Sequence, residues 1–425
     1  MTGYNKLSIA DAHALMSAGK LTAVQLAEDS LARIEARESQ VRAWVHIDAD
    51  HVLAQARECD RLQKKSALHG IPVGIKDIID TCDMPAEYGS PIYAGHRPRA
   101  DAACVAALRK AGAIIMGKTV TTEFAMRHPN KTHNPLNLAH TPGGSSSGSA
   151  AGVADFMMPL ALGTQTGGSV LRPSSYCGVV GFKPSFNIIN RAGVKPNSES
   201  LDTVGLIARS AADIALALPV ITECAAPSIT VPAKPRIAYC RTPEWPHAQP
   251  ATIAAMESAA KKLAKAGARV TEFKLPELFN QLSDAHTVIN DYEAYRALSF
   301  EIATARDKIS TSIQPRLPKW ATRTVAEYTA AQDLADDCRR MLRDVFVDYD
   351  ALLVPSAPGE APKGLSTTGE ATFNRIWTLL HVPAITVPAA KGPHGLPVGV
   401  QLAGAFGDDY RLLAVAQWAQ EVLGA

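Results

Sequence analysis

Apolar residues return at helical spacing over residues 8–18 and 22–37. The second stretch is entered through Thr22 as an N-cap and carries Leu26, Ile34 and neighbouring alanines on one face. A third helix, polar on one side, is predicted over 50–65, before the turn His69-Gly70-Ile71-Pro72. This arm can cover a sheet or meet a second subunit. The pattern changes over 71–80, where Ile71, Val73, Ile75, Ile78 and Ile79 form a β-branched run. A helix over 101–111, a strand over 113–118 and a short helical turn over 121–126 follow. Strand, helix, strand in that order predicts parallel pairing through a crossover. Later come a helix over 209–221, a proline-rich excursion over 225–235, and strands over 236–240 and 268–275 around a helix at 251–265. Long helices over 284–304 and 324–347, strands over 351–356, 384–388 and 399–403, and a closing helix over 409–423 complete the reading. No internal repeat or charge block interrupts it.

Residues 140–185 break this regularity with two loops, Gly143-Gly144-Ser145-Ser146-Ser147-Gly148-Ser149 and Gly163-Thr164-Gln165-Thr166-Gly167-Gly168-Ser169. Such composition alone describes a flexible linker. The intervening residues do not: Ala150 to Ala154, then Met157, Met158, Leu160, Ala161 and Leu162, predict a buried helix and a buried strand. The glycines therefore belong to a folded core, where backbone approaches a neighbour closely or turns its N–H groups toward an anion. Lys76 is the second anomaly, since an ammonium in an apolar strand needs a partner. It can pair with Asp77, snorkel out at the strand end, or do chemistry.

With 425 residues and 47% hydrophobic content the chain can bury a large core. Lys+Arg 43 against Asp+Glu 41 leaves a net charge of +2, which argues against nucleic-acid and acidic-membrane partners. The N-terminal residues carry Asp11 and His13 and no long apolar core, so no signal peptide is expected, and no apolar run approaches membrane-spanning length. Seven scattered cysteines without a CxxC pair read as reduced thiols of a cytoplasmic protein. His128, His133 and His140 share a loop, but their spacing fits no metal-ligand pattern.

The blocks GIPVGIKD (70–77), PGGSSSGSA (142–150), GTQTGGS (163–169), YCGVVGFKPS (176–185), PAITVPA (383–389) and GLPVGVQL (395–402) together resemble the amidase signature family. These are serine hydrolases that cleave carbon–nitrogen bonds in linear amides. The resemblance implies one α/β domain over 1–425, three-layered α/β/α, with a large twisted mixed sheet covered by helices on both faces. Within it, 1–68 would form the helical arm, 70–220 the catalytic core, 221–350 a substrate funnel and 351–425 the return to the sheet. Tyr292, Glu293 and Tyr295 could face that funnel.

Amide hydrolysis needs a nucleophile, an acceptor for its proton, oxyanion donors and an acid for the leaving nitrogen. Ser169 closes the Thr166-Gly167-Gly168 turn and is the candidate nucleophile; an isolated serine there would read as a helix N-cap, and it could be both. No histidine is comparably placed, which favours a Ser-Lys variant of triad logic. The resemblance assigns Lys76 as base and later acid, Ser145 as bridging serine on a cis Gly144-Ser145 peptide, Ser169 as nucleophile, and Thr166, Gly167, Gly168 and Ser169 as oxyanion hole. A basic Lys76 must be neutral: a fall from about 10.4 to about 7 costs roughly 4.6 kcal/mol, within what burial supplies. No metal or organic cofactor is required.

Gly144 and Arg172 are the substrate-binding candidates. Arg172 stands three residues after Ser169, as in the malonamidase branch, where the matching arginine contacts a substrate carboxylate and so selects short acid monoamides such as malonamate. It could equally be structural, paired with Asp155 or Asp202. A homodimer is expected from the same resemblance. The alternatives are the amidase subunit of a tRNA-dependent amidotransferase, or an amidase for aryl amides, carbamates or urea derivatives.

Overall fold

The computed structural model describes residues 3–63, 66–228 and 232–424. Eleven strands form one sheet: β1 (Trp44–Ile47), β2 (Pro72–Lys76), β3 (Ile114–Thr119), β4 (Leu160–Gln165), β5 (Val180–Lys183), β6 (Thr203–Ala208), β7 (Arg236–Cys240), β8 (Arg269–Phe273), β9 (Ala351–Pro355), β10 (Ala384–Lys391) and β11 (Pro397–Ala403). Their order is β1-β3-β2-β4-β6-β5-β10-β11-β9-β7-β8. The pairs β2–β3, β2–β4, β7–β8 and β7–β9 are parallel and the others antiparallel, so the sheet is mixed.

Helices cover both faces, because successive strand side chains point to opposite sides. Ile237 and Tyr239 of β7, Leu353 of β9 and Ile385 of β10 pack with the helices Ala211–Thr222, Pro250–Lys265 and Asp409–Leu423. Their alternates Ala238, Cys240, Leu352, Val354 and Ala384 pack with Leu282–Ala297, Val325–Asp348 and Arg375–Leu379. The result is the expected three-layer α/β/α architecture.

The predicted strand over 71–80 ends at Lys76, where the Ile78 and Ile79 N–H groups turn back onto the Lys76 carbonyl. The expected long helix 284–304 is two, Leu282–Ala297 and Ser299–Thr304, which part at Leu298. Three strands, β1, β5 and β6, go beyond the sequence reading. β1 and β5 are only four residues long, and β5 and β6 each carry a glycine, so their pairing comes from the sheet rather than from periodicity. Lys64 and Lys65, in the third predicted helix, and 229–231, in the proline-rich excursion, lie outside the described residues; the helix itself runs Ala49–Arg61.

The arm covers the sheet. Leu26, Ala27, Ile34 and Val41 of the helix Ala23–Val41 are buried in the chain's own core, and β1 closes the sheet edge against β3. Asp155, between the arm and β4, accepts from Arg33 at 2.6 Å and Arg37 at 3.0 Å.

Candidate active site

β2 and β4 run parallel and adjacent, Gly74 opposite Ala161 and Ile75 opposite Leu162, so their C-terminal ends bring Lys76 beside Thr164. Lys76 is fully buried and neither snorkels nor pairs with Asp77. Its Nζ lies 2.7 Å from Ser145 Oγ, 2.7 Å from Thr164 Oγ1 and 3.2 Å from the Thr164 carbonyl. Burial holds the Lys76 pKa well below its ordinary value; the Asp202 carboxylate opposes this and the Arg172 guanidinium adds to it. A neutral amine has two N–H groups and one lone pair. Thr164 can take both N–H groups, which leaves the lone pair for the Ser145 hydroxyl.

Ser145 follows a cis Gly144-Ser145 peptide, as the resemblance implied. The glycines around it satisfy close approaches: a Cβ on Gly148 would lie 2.1 Å from the Ala43 carbonyl, and one on Gly168 would lie 2.5 Å from Asn374 Oδ1. Ser169 lies on a cavity of about 210 Å³ together with Thr166, Gly167, Gly168 and Arg172, while Lys76 and Ser145 are fully buried and do not line it. The Ser169 hydroxyl has no hydrogen-bond partner among the described residues, and it does not cap the following helix, Leu171–Cys177. Gln165 does so instead, its Oε1 accepting from Val170 N at 2.9 Å and Leu171 N at 3.1 Å.

The loop 166–169 is held by its carbonyls. Thr166 O accepts from His286 Nε2 at 2.8 Å, Gly167 O from the Thr378 hydroxyl at 3.0 Å, Gly168 O from Arg172 N at 2.9 Å and Ser169 O from Ser146 N at 3.2 Å. The Gly167, Gly168 and Ser169 N–H groups donate to nothing among the described residues. A developing oxyanion at Ser169 would meet donors already fixed in place, the arrangement that lowers such a barrier. Because a carbonyl only accepts, His286 carries its proton on Nε2; burial pushes its pKa down to about 4, so it is neutral at pH 7. The Thr166 hydroxyl donates to Asp202 Oδ1 at 2.5 Å, and Asp202 Oδ2 accepts from Asn197 N and Ser198 N at 2.8 and 3.0 Å.

Among the described residues Arg172 has no acidic partner. Asp155 belongs to Arg33 and Arg37, and Asp202 to Thr166 and the backbone. Arg172 Nη1 donates to Gly369 O at 2.9 Å, and Nη2 to Gly144 O at 2.5 Å and Thr368 Oγ1 at 3.2 Å, while its buried Nε has no partner. Burial pushes its pKa down to about 10, so the guanidinium stays charged at neutral pH. Gly144 contributes this carbonyl rather than a stretch of cavity wall; a Cβ there would lie 2.8 Å from Thr368 Cγ2.

The helix Leu282–Ala297 does reach the cavity, but through His286, Asn290 and Asp291. Glu293 is occupied by Ser198, Ser200 N at 3.1 Å and the Tyr328 hydroxyl at 2.8 Å, Tyr292 stacks on Tyr328 at 4.3 Å between ring centroids, and Tyr295 packs against the core. Thr164, His286 and Thr378 escaped the sequence reading, and Asp202 entered it only as a possible partner of Arg172. Thr164 left a trace, inside the GTQTGGS block; the other three arrive from distant segments. His128, His133 and His140 bond separately, to Ser312 Oγ, Leu138 O and Ala361 O.

The family model described as Amidase matches residues 25–413. The chain belongs to the amidase family. Membership makes it an amide-hydrolysing serine enzyme. Its relatives include a subunit of the glutamyl-tRNA(Gln) amidotransferase of Chloroflexus aggregans, 33% identical over 99% of this chain and 97% of that protein. Among solved structures, one described as an amidase superposes with a TM-score of 0.90 at 28% identity, covering 98% of this chain and 99% of that one. The peptide amidase of Stenotrophomonas maltophilia gives 0.84 at 28% identity, covering 99% and 98%. Among the described residues no helix of this amidase is long and apolar enough to cross a membrane.

Proposed function

We propose that the chain cleaves a small carboxylated primary amide to an acid and ammonia through an acyl-enzyme on Ser169. The observation that carries this reading is the buried Lys76–Ser145 hydrogen bond, set behind a serine whose loop presents unoccupied N–H groups. The Ser169 proton passes through Ser145 to Lys76 as the hydroxyl attacks the carbonyl; the oxyanion is held by the amides of the 166–169 loop. Lys76 returns the proton by the same path to the departing nitrogen, and water enters by that relay to release the acid. A charged guanidinium at the cavity favours acid amides of the malonamate type over aryl amides, and a cytoplasmic homodimer is the assembly this reading expects.

A second reading has its own support. A 33% identity over nearly the whole chain to an amidotransferase subunit favours glutamine as the amide and partner subunits as the destination of the ammonia. That alignment extends over 476 positions against a chain of 425 residues, so the relative carries segments that this chain lacks.

Ammonia release from malonamate, malonamide, propionamide, benzamide, glutamine and a carboxylated urea separates the two readings. The chain alone should turn over a carboxylated amide, and Ser169→Ala should reduce this by about 10⁴-fold or more. Turnover that survives Ser169→Ala sinks the mechanism. Glutaminase activity that appears only with amidotransferase partner subunits establishes the second reading.

A further inference from the structure

Arg172 is buried and its guanidinium is largely committed to the protein's own oxygens. Three other guanidiniums line the same cavity: Arg127, just after the 3-10 turn Glu123–Ala125, Arg316, ending the turn Gln314–Arg316, and Arg375, opening the helix Arg375–Leu379. Arg127 is exposed, and Arg316 and Arg375 are half-buried. They are close enough to disturb one another: after burial itself, Arg127 depresses the pKa of both Arg316 and Arg375, and Arg316 that of Arg375.

Counter-charge is sparse. Asp291 is engaged by Arg323 at 3.0 Å, and the exposed Glu370 stands 3.6 Å from Arg375. Among the described residues the Arg127 and Arg316 guanidiniums have neither a hydrogen bond nor an ion pair, although the Arg316 N–H donates to the Ile313 carbonyl at 2.9 Å. Four guanidiniums thus share the cavity with two carboxylates, one of them already paired with an arginine outside it. Like charges collected in a cleft repel until an anion enters, and they draw that anion in. The cavity, at about 210 Å³, lies below the roughly 300–1,000 Å³ of drug-sized sites, so that anion is small.

We propose that Arg127, Arg316 and Arg375 form an anion-binding subsite that holds two carboxylates of a dianionic amide while its amide carbonyl reaches Ser169. The planar forks suit carboxylates, each of which can accept two charge-assisted bonds. This assignment names the substrate class for the function proposed above and rests on that reading. It places charge recognition on the cavity's accessible guanidiniums and leaves Arg172 to shape the wall between Gly144 and Gly369.

The test is kcat/KM for butyramide, glutaramate and the monoamide of tricarballylate, which carry zero, one and two carboxylates, with wild type, Arg127→Gln and Arg316→Gln. Wild type should prefer the dianion, and each variant should lower the dianion-to-neutral ratio about tenfold. A wild type that prefers butyramide, or variants that slow all three amides equally, overturns the subsite. Titration of tricarballylate into Ser169→Ala by calorimetry reads the same subsite without turnover. Binding that weakens about tenfold on adding Arg127→Gln supports it, and unchanged binding overturns it. If no amide is cleaved while that binding holds, the hydrolase reading fails and the anion site stands.

Discussion

Two lysines lie fully buried on adjacent parallel strands, Lys76 at the end of β2 and Lys118 near the end of β3, opposite Ile75. Desolvation lowers the pKa of both, but their neighbours differ. Lys118 faces Asp77 at 3.5 Å and donates to the Ile79 carbonyl, so it is an ion-paired strut. Asp77 shares the cost: burial pushes its carboxyl up to about 6 against the pull of Lys118. Lys76 has hydroxyls where Lys118 has a carboxylate, and its pKa falls further. Burial alone therefore does not make a lysine a base; Lys76 also lacks a bound counter-ion and faces the Ser145 hydroxyl.

The largest effect separating the two is catalytic. Lys76→Met should lower kcat by roughly 10²–10⁴ for amides, and less for an activated ester, whose leaving group needs little protonation. Its denaturation midpoint should be retained. Amide turnover equal to wild type would remove Lys76 from the relay.

Lys118→Met should show the converse, with turnover largely kept and stability reduced by about 3–5 kcal/mol, because a buried carboxylate is left unpaired. Urea unfolding reads this directly. Lys118→Met combined with Asp77→Asn should recover much of the loss, since the amide oxygen still accepts from Glu87 N. No recovery would mean that Asp77 is not what Lys118 serves.

The smallest effect sharpens the electrostatic difference. Activity requires neutral Lys76, so it is present above the Lys76 pKa and lost as pH falls through it. The Asp202 carboxylate raises that pKa and Arg172 lowers it. Asp202→Asn should thus move the acid limb of kcat/KM down, and Arg172→Gln should move it up, each by up to about one pH unit. Shifts of the same sign in both variants would break the assignment.

Much of this was legible in the chain because chemistry and strand ends coincide there. GIPVGIKD places an ammonium in an apolar strand, and GTQTGGS places a serine after two glycines, so Lys76, Ser145 and Ser169 could be singled out by residue type and motif. Helix limits were readable where a cap was local, as at Thr22 and Thr324, whose side chains close capping boxes with Gln25 and Glu327. The residues turned toward the cavity were not. Periodicity predicts a helix over 284–304, but its near-uniform polarity leaves open which turn meets the cavity, and the structure answers with His286 rather than Glu293.

By itself, then, the sequence carried the motifs whose family resemblance implied the layered α/β plan, marked Lys76 and Ser169 as candidates, and marked the glycines that let backbone close over them, because each of these is written within a few consecutive residues. The tertiary structure alone decided which buried lysine has a counter-ion, that His286 and Thr378 hold the carbonyls of the 166–169 loop, that Arg172 is braced by Gly144 and Gly369, and that Arg127, Arg316 and Arg375 meet across one cavity. Those contacts join segments that lie far apart along the chain, and strand order and packing, not local pattern, bring such segments together.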